Sequence, residues 1–265
     1  MRRGVGVLVI LAVICAAGVI GSWMVWKGKV QEAGELRPAV SNESGDTGNS
    51  PDAEPNEEET VTATPPLDAL GESVDPGIRK RFEKRFAADE PVRILLAGSD
   101  ALAPVAVNFA EKLKTGFGEW VTVDAATADV TSSEFIAQGL GTIDWSAPYD
   151  VVIYEPFTLK NNGKVVIEKE EQDLLAVYDR ASSSSSETVF IVTPPQPIYE
   201  ANYYLTQIEA LQKFSAAKNF LYVDHWDRWP TTSSADLLEY VGKDRTLTSK
   251  GVDVWAEALA EQFID

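Results

Sequence analysis

The run Val92-Arg-Ile-Leu-Leu-Ala-Gly-Ser-Asp-Ala-Leu102 decides the fold. A short apolar β-type stretch stops abruptly at Gly98-Ser99-Asp100, which places a hydroxyl at the end of a buried strand. Downstream, four further runs have the same character: Trp120–Val123, Asp150–Tyr154, Thr188–Val192 and Phe220–Val223. Most are nearly continuous in apolar residues, as strands covered on both faces are. Helical candidates lie between them at Val105–Lys114, Ser132–Gln138, Lys169–Arg180 and Gln207–Lys218, and a last one runs from Ser249 to Phe263. In that last segment Val252, Trp255, Ala256, Leu259 and Phe263 recur at steps of three and four and form one apolar face. Alternating strands and helices predict an α/β protein, a three-layer α/β/α sandwich around a flavodoxin-like, parallel five-stranded sheet. The Ser182–Ser186 run reads as a flexible connection into the fourth strand.

Open parallel sheets bind ligands beyond the carboxyl ends of their strands. The predicted strand ends gather Ser99, Asp100, Glu155, Thr158, Gln196, Asp224, His225, Trp226 and Asp227 on one rim. Ser99 is the candidate nucleophile, and it or Asp100 can equally cap the next helix. The chain has a single histidine. That residue, His225, stands between Asp224 and Trp226, so a displaced triad of Ser99, His225 and Asp224 or Asp227 is one reading, and a structural histidine packed among aromatics is the other. Asn161 and Asn162 can donate amide N–H bonds to an oxyanion, although Asn-Asn-Gly is also a good turn. Tyr199, Tyr203, Tyr204, Trp226 and Trp229 could face a sugar ring or acyl chain, or pack their loop onto the core.

The segments Gly98-Ser-Asp100, Tyr149-Asp-Val-Val-Ile-Tyr-Glu-Pro-Phe-Thr-Leu-Lys-Asn-Asn-Gly163 and Leu247-Thr-Ser-Lys-Gly-Val-Asp-Val-Trp-Ala-Glu257 together resemble the SGNH/GDSL hydrolase family over about residues 90–264. The resemblance implies a three-layer α/β/α fold and ester or acyl-transfer chemistry on lipids or acetylated glycans. It gives Ser99 the role of nucleophile, with the Ser99 N–H, a glycine and an asparagine forming the oxyanion hole. A C-terminal Asp-x-x-His would supply acid and base. This chain departs from the pattern in three places. Ser99 precedes the aspartate, the family's second glycine has no counterpart near Ala128-Asp-Val-Thr131, and Thr246 stands where the histidine belongs. Two functions follow as expectations: an esterase, deacetylase or O-acyltransferase working through an acyl-serine, or a catalytically degenerate domain that binds an envelope glycan or a protein partner.

The rest of the chain sets the location. Gly4–Trp26 is uncharged and mostly apolar, about the 20 residues one membrane-crossing helix needs, and Arg2 and Arg3 favour a cytoplasmic N-terminus with the bulk of the chain outside. Residues 30–75 are acidic and rich in Ser, Thr, Pro and Glu, and they read as a disordered tether ahead of a globular domain at 76–265. The expected partners are the membrane, through the N-terminal helix, and an acylated cell-envelope glycan or lipid. A net charge of −18 argues against nucleic acid. The single cysteine excludes an intrachain disulfide framework. The carboxylates at Asp100, Glu155, Asp224 and Asp227 with His225 match no metal-site spacing, and no cofactor is implied.

Overall fold

The computed structural model describes residues 65–264, so the Gly4–Trp26 anchor and residues 30–64 of the tether lie outside the described residues. Among the described residues no helix is long and apolar enough to cross a membrane.

Five strands, β1 (Val92–Ser99), β2 (Val121–Ala128), β3 (Val151–Tyr154), β4 (Val189–Val192) and β5 (Leu221–Tyr222), form one sheet in the order β2-β1-β3-β4-β5. Every pairing is parallel, as expected from the alternating pattern. Side chains of a strand alternate between faces, and β1 sorts its residues accordingly. Ile94 and Leu96 join a core with α1 (Pro76–Ala87), α2 (Leu102–Phe117) and α7 (Ser249–Ala260). Leu95 and Ala97 join a second core with α5 (Ile167–Ser184) and α6 (Tyr203–Ala217). The sheet is therefore the middle of three layers.

Three expectations are corrected. The first concerns the domain's start: Leu70 and Val74 are buried in the core, and the Gly71 N–H donates to Phe263 O at 3.0 Å. Residues 65–75 therefore belong to the globular domain. Next, helix α1 was not anticipated. Five Arg and Lys residues mask its apolar stripe of Ile78, Phe82 and Phe86, one residue per turn on a single face. Asp75 caps it, accepting the Gly77 N–H at 2.7 Å, and Pro76 fills the first helical position, where its missing N–H costs nothing. Finally, Ser182–Ser184 are the last turn of α5 rather than a free connection. The Ser182 hydroxyl donates to Tyr178 O at 2.8 Å, and the Ser184 hydroxyl donates to Trp145 O at 3.1 Å.

The chain order reverses between β1 and β3, which makes the carboxyl ends of these two strands the switch point of the sheet. Ser99 ends β1 and Glu155 follows β3 directly, so the topology brings these two residues side by side. The segment after β3 then turns into the short helix α4 (Thr158–Asn161), which packs against α3 (Ser132–Glu134), the short helix between β2 and β3.

Candidate functional site

A cavity of about 450 Å³ opens at the switch point. Of the residues expected at the rim, Ser99, Asp100 and Gln196 line it, and so do Asn162, expected as an oxyanion donor, and Thr246. The cavity is also lined by Asp129, Lys160, Lys164, Asp244 and Arg245, none of which was singled out as a rim residue. Lys160 bridges its mouth, 2.8 Å from Asp100 and 2.6 Å from Asp129. Burial works against its charge, but the two aspartates outweigh burial and raise its pKa. A clue lay in the sequence: Lys160 sits two residues after Thr158, in the loop already assigned to the rim.

Glu155 does not reach the rim surface. It is fully buried beneath Ser99 and accepts the Ser99 N–H on Oε2 at 2.7 Å. Burial raises the Glu155 pKa against the opposing effect of the Ser99 hydroxyl and of the Ser99, Phe157 and Thr158 amides. Gly98 makes this approach possible, since a Cβ there would lie 2.8 Å from Glu155 Cβ and 2.9 Å from Glu155 O. The next amide is also engaged, because Asp100 N–H donates to Ala128 O at 3.0 Å. Both amides that flank the Ser99 carbonyl are thus spent on the protein itself.

The Asn-Asn-Gly segment divides. Asn162 lines the cavity, whereas Asn161 is buried away from it. Its Oδ1 accepts the Ser132 N–H at 2.9 Å and its Nδ2 donates to Glu170 Oε2 at 2.8 Å. Thr158 is buried in the same network and donates to Glu170 Oε1 at 2.6 Å. Glu170 forms no ion pair among the described residues, and burial pushes its pKa up to about 7 despite the bonds from Thr158 and Asn161. Asn161 and Thr158 therefore hold the cavity wall in place from behind.

His225 is in the core and does not line the cavity. Trp229 Nε1–H donates to its Nδ1 at 2.8 Å, so its Nε2 carries the proton and donates to Pro194 O, also at 2.8 Å. The ring stacks on Trp255 with centroids 4.8 Å apart. Burial drives its pKa down to about 4. Asp224 is exposed and accepts the Trp226 N–H at 3.1 Å, with no bond to the imidazole, and Asp227 is exposed as well. The structure does not assemble Ser99, His225 and Asp224 into a triad. The surrounding aromatics mostly serve packing: Trp226 donates to Pro195 O at 2.8 Å, and Tyr204 donates to Gln196 O at 2.9 Å.

Among the described residues no group of three or more His, Cys, Asp or Glu could hold a metal.

Protein-family models give no match to the sequence, and neither do the curated proteins. Solved structures do match. A carbohydrate esterase family 3 protein from Talaromyces cellulolyticus has a TM-score of 0.54 at 9% identity, over 64% of this chain and 94% of that one. A lipolytic protein of the G-D-S-L family from Desulfitobacterium hafniense gives 0.52 at 13% identity, over 64% and 99%. TesA gives 0.52 at 13% identity, over 64% and 97%. At such identities the likeness speaks for the fold. Over the matched span, the globular domain of this chain has a divergent SGNH/GDSL-type hydrolase fold.

Proposed function

We propose that this domain uses a hydrolase fold to bind an acylated glycan or related envelope ligand, and that it does not turn the ligand over by a serine–histidine route. The observation that carries this reading is the Glu155 carboxylate on the Ser99 N–H at 2.7 Å. An acyl-transfer site needs that region to stabilise a developing oxyanion, and each lost donor of this kind costs about 10²–10³ in rate. Here the donor is already taken, and by a group whose ionised form would repel the oxyanion. The imidazole base is missing too. Thr246 lines the cavity where the family's histidine would stand, and its hydroxyl donates to Asp244 Oδ1 at 2.7 Å. What remains is a polar concavity with Asn162, Gln196 and Thr246 able to meet ligand hydroxyls or carbonyls.

One specific observation favours an esterase instead. Glu155 lies against Ser99, and its raised pKa suits a base more than that of an ordinary carboxylate would. In that second reading Glu155 takes the Ser99 proton as Oγ attacks the ester carbonyl, the ester C–O bond breaks and the alcohol leaves with that proton, and water then hydrolyses the acyl-serine to release the acid and restore Ser99. The anchor at Gly4–Trp26 and an extracytoplasmic envelope setting belong to the proposal in either case.

The test is a calorimetric titration of the full chain with an acetylated oligosaccharide, with released acetate assayed in parallel. Saturable binding without acetate release, weakened by Gln196→Ala, supports the binding reading. Acetate release that vanishes in both Ser99→Ala and Glu155→Gln establishes the esterase.

A further inference from the structure

Tyr154 of β3 is level with Val192 of β4, and Val192 is level with Tyr222 of β5. Residues level with one another in a parallel sheet put their side chains on the same face, and all three join the core that α5 and α6 cover. Adjacent strands lie about 5 Å apart, so the two tyrosines start about 10 Å from each other. Between them Val192 is short, and its side chain ends well below the two hydroxyls.

Helix α6 covers this rung. Its buried stripe runs Tyr204, Gln207, Leu211 and Ser215, at steps of three and four. Leu211 packs in the same core as Tyr154 and Val192, while Tyr204 lies within electrostatic reach of Tyr222, Glu155 and Glu170. Gln207 stands between Tyr204 and Leu211 on that stripe, which directs its amide at the rung.

Four polar atoms on this face are sealed from solvent and have no partner among the described residues: the Tyr154 and Tyr222 hydroxyls and both amide atoms of Gln207. Tyr154 and Gln207 are 0% and 2% exposed. The neighbouring hydroxyls are already committed, since Tyr204 donates to Gln196 O at 2.9 Å, Ser215 donates to Leu211 O at 2.8 Å and Thr158 donates to Glu170 Oε1 at 2.6 Å. Each buried polar atom left unpaired costs the loss of its hydration, and four such costs together approach the whole stability of a domain. Native interiors meet such atoms with protein groups or with water.

The chemistry of these atoms selects the guest. Two hydroxyls that donate and accept, an amide oxygen that accepts and an amide nitrogen that donates suit a molecule that does both. An apolar guest would leave all four unpaired. The Ser99 cavity is lined by none of the three residues, so a substrate in that cavity does not meet them. We infer that Tyr154, Gln207 and Tyr222 hold internal water, a permanent part of the core that ties α6 to the sheet. Each such molecule takes two to four polar partners, which the four atoms supply. Because α4 packs against α6, this water makes Gln207 a positioning residue for the helix that carries Lys160. It stands whichever role Ser99 has.

The test is a crystal structure of the full chain, at a resolution that shows ordered water, beside that of Gln207→Met, which keeps the side-chain length and removes both amide atoms. The expected result is water within about 3 Å of a Gln207 amide atom and of the Tyr154 or Tyr222 hydroxyl, lost in Gln207→Met. A Gln207 amide bonded directly to a tyrosine or to another protein group with no water on it, a dry space, or a bound molecule larger than water overturns the inference. Urea unfolding gives a second readout that does not need the Gln207 variant to fold. At least one of Tyr154→Phe and Tyr222→Phe should lower the folding equilibrium constant about fivefold, as the loss of a made hydrogen bond does. Removing a hydroxyl that is truly unpaired would leave stability unchanged or raise it, and that result in both variants also overturns the inference.

Discussion

Glu170 and His225 are both buried without a charged partner, and they respond to pH in opposite directions. His225 has a folded pKa of about 4 against an ordinary 6.5. The unfolded chain therefore binds its proton first, and this stability is lost as pH falls from about 6.5 towards 4. Glu170 has a folded pKa of about 7 against 4.5. Its contribution is present below about 4.5 and is lost as pH rises to about 7. At about 1.4 kcal/mol per pH unit, each amounts to about 3 kcal/mol over its window. Glu170→Gln can keep both bonds, with its amide oxygen accepting from Asn161 and its amide N–H donating to Thr158. Denaturant unfolding of this variant should match wild type near pH 4.5 and exceed it by up to about 3 kcal/mol at pH 8. A difference that does not change with pH would show that Glu170 is not held neutral. At the same scale, Thr246→His should place an imidazole in the cavity without giving ester hydrolysis above background, because the Ser99 amide stays on Glu155. An acyl-enzyme burst in that variant would show the base to be the single missing part.

Among the elements, β1 and its neighbours were the most legible in the sequence. A buried parallel strand reads as an apolar run, and four of the five runs end within two residues of the strand seen. The second run continues to Ala128, because an edge strand carries polar residues such as Asp124 and Thr127 that an apolar pattern does not include. Helix α1 was hidden by its Arg and Lys residues, although Ile78, Phe82 and Phe86 kept the helical spacing. The site was legible at strand-end resolution only. Ser99, Asp100 and Gln196 could be placed on the rim from topology, and Asn162 could be read as an oxyanion-donor candidate. Direction along a strand end could not, and this separates Asn162 from Asn161 and hides Glu155 under Ser99. Two substitutions test the elements. Phe82→Ala removes a fully buried ring from the core between α1 and the sheet and should cost about 3–5 kcal/mol. Gly98→Ala forces a Cβ into Glu155 and should cost about 1–3 kcal/mol. Chemical denaturation reads both, and a loss below about 0.5 kcal/mol in either would mean that the packing described is wrong.

For the whole molecule, the domain begins earlier than its composition suggests. Leu70 and Val74 sit in the same core as Phe82 and Trp255. A chain beginning at residue 76 should be less stable than one beginning at 65 by about 2–4 kcal/mol, from the loss of two buried aliphatic side chains. Equal midpoints in urea would return residues 65–75 to the tether. Fold and chemistry are separable here: the three-layer sandwich is that of the solved structures it matches, while the Ser99 N–H and the His225 ring are engaged with the protein itself. The most direct measurement is fluorophosphonate labelling of the full chain, followed by mass and by hydrolysis of a short-chain aryl acetate, against Ser99→Ala. The account predicts no adduct on Ser99 and no turnover beyond the Ser99→Ala level. A stoichiometric adduct on Ser99 with Ser99-dependent hydrolysis would contradict it.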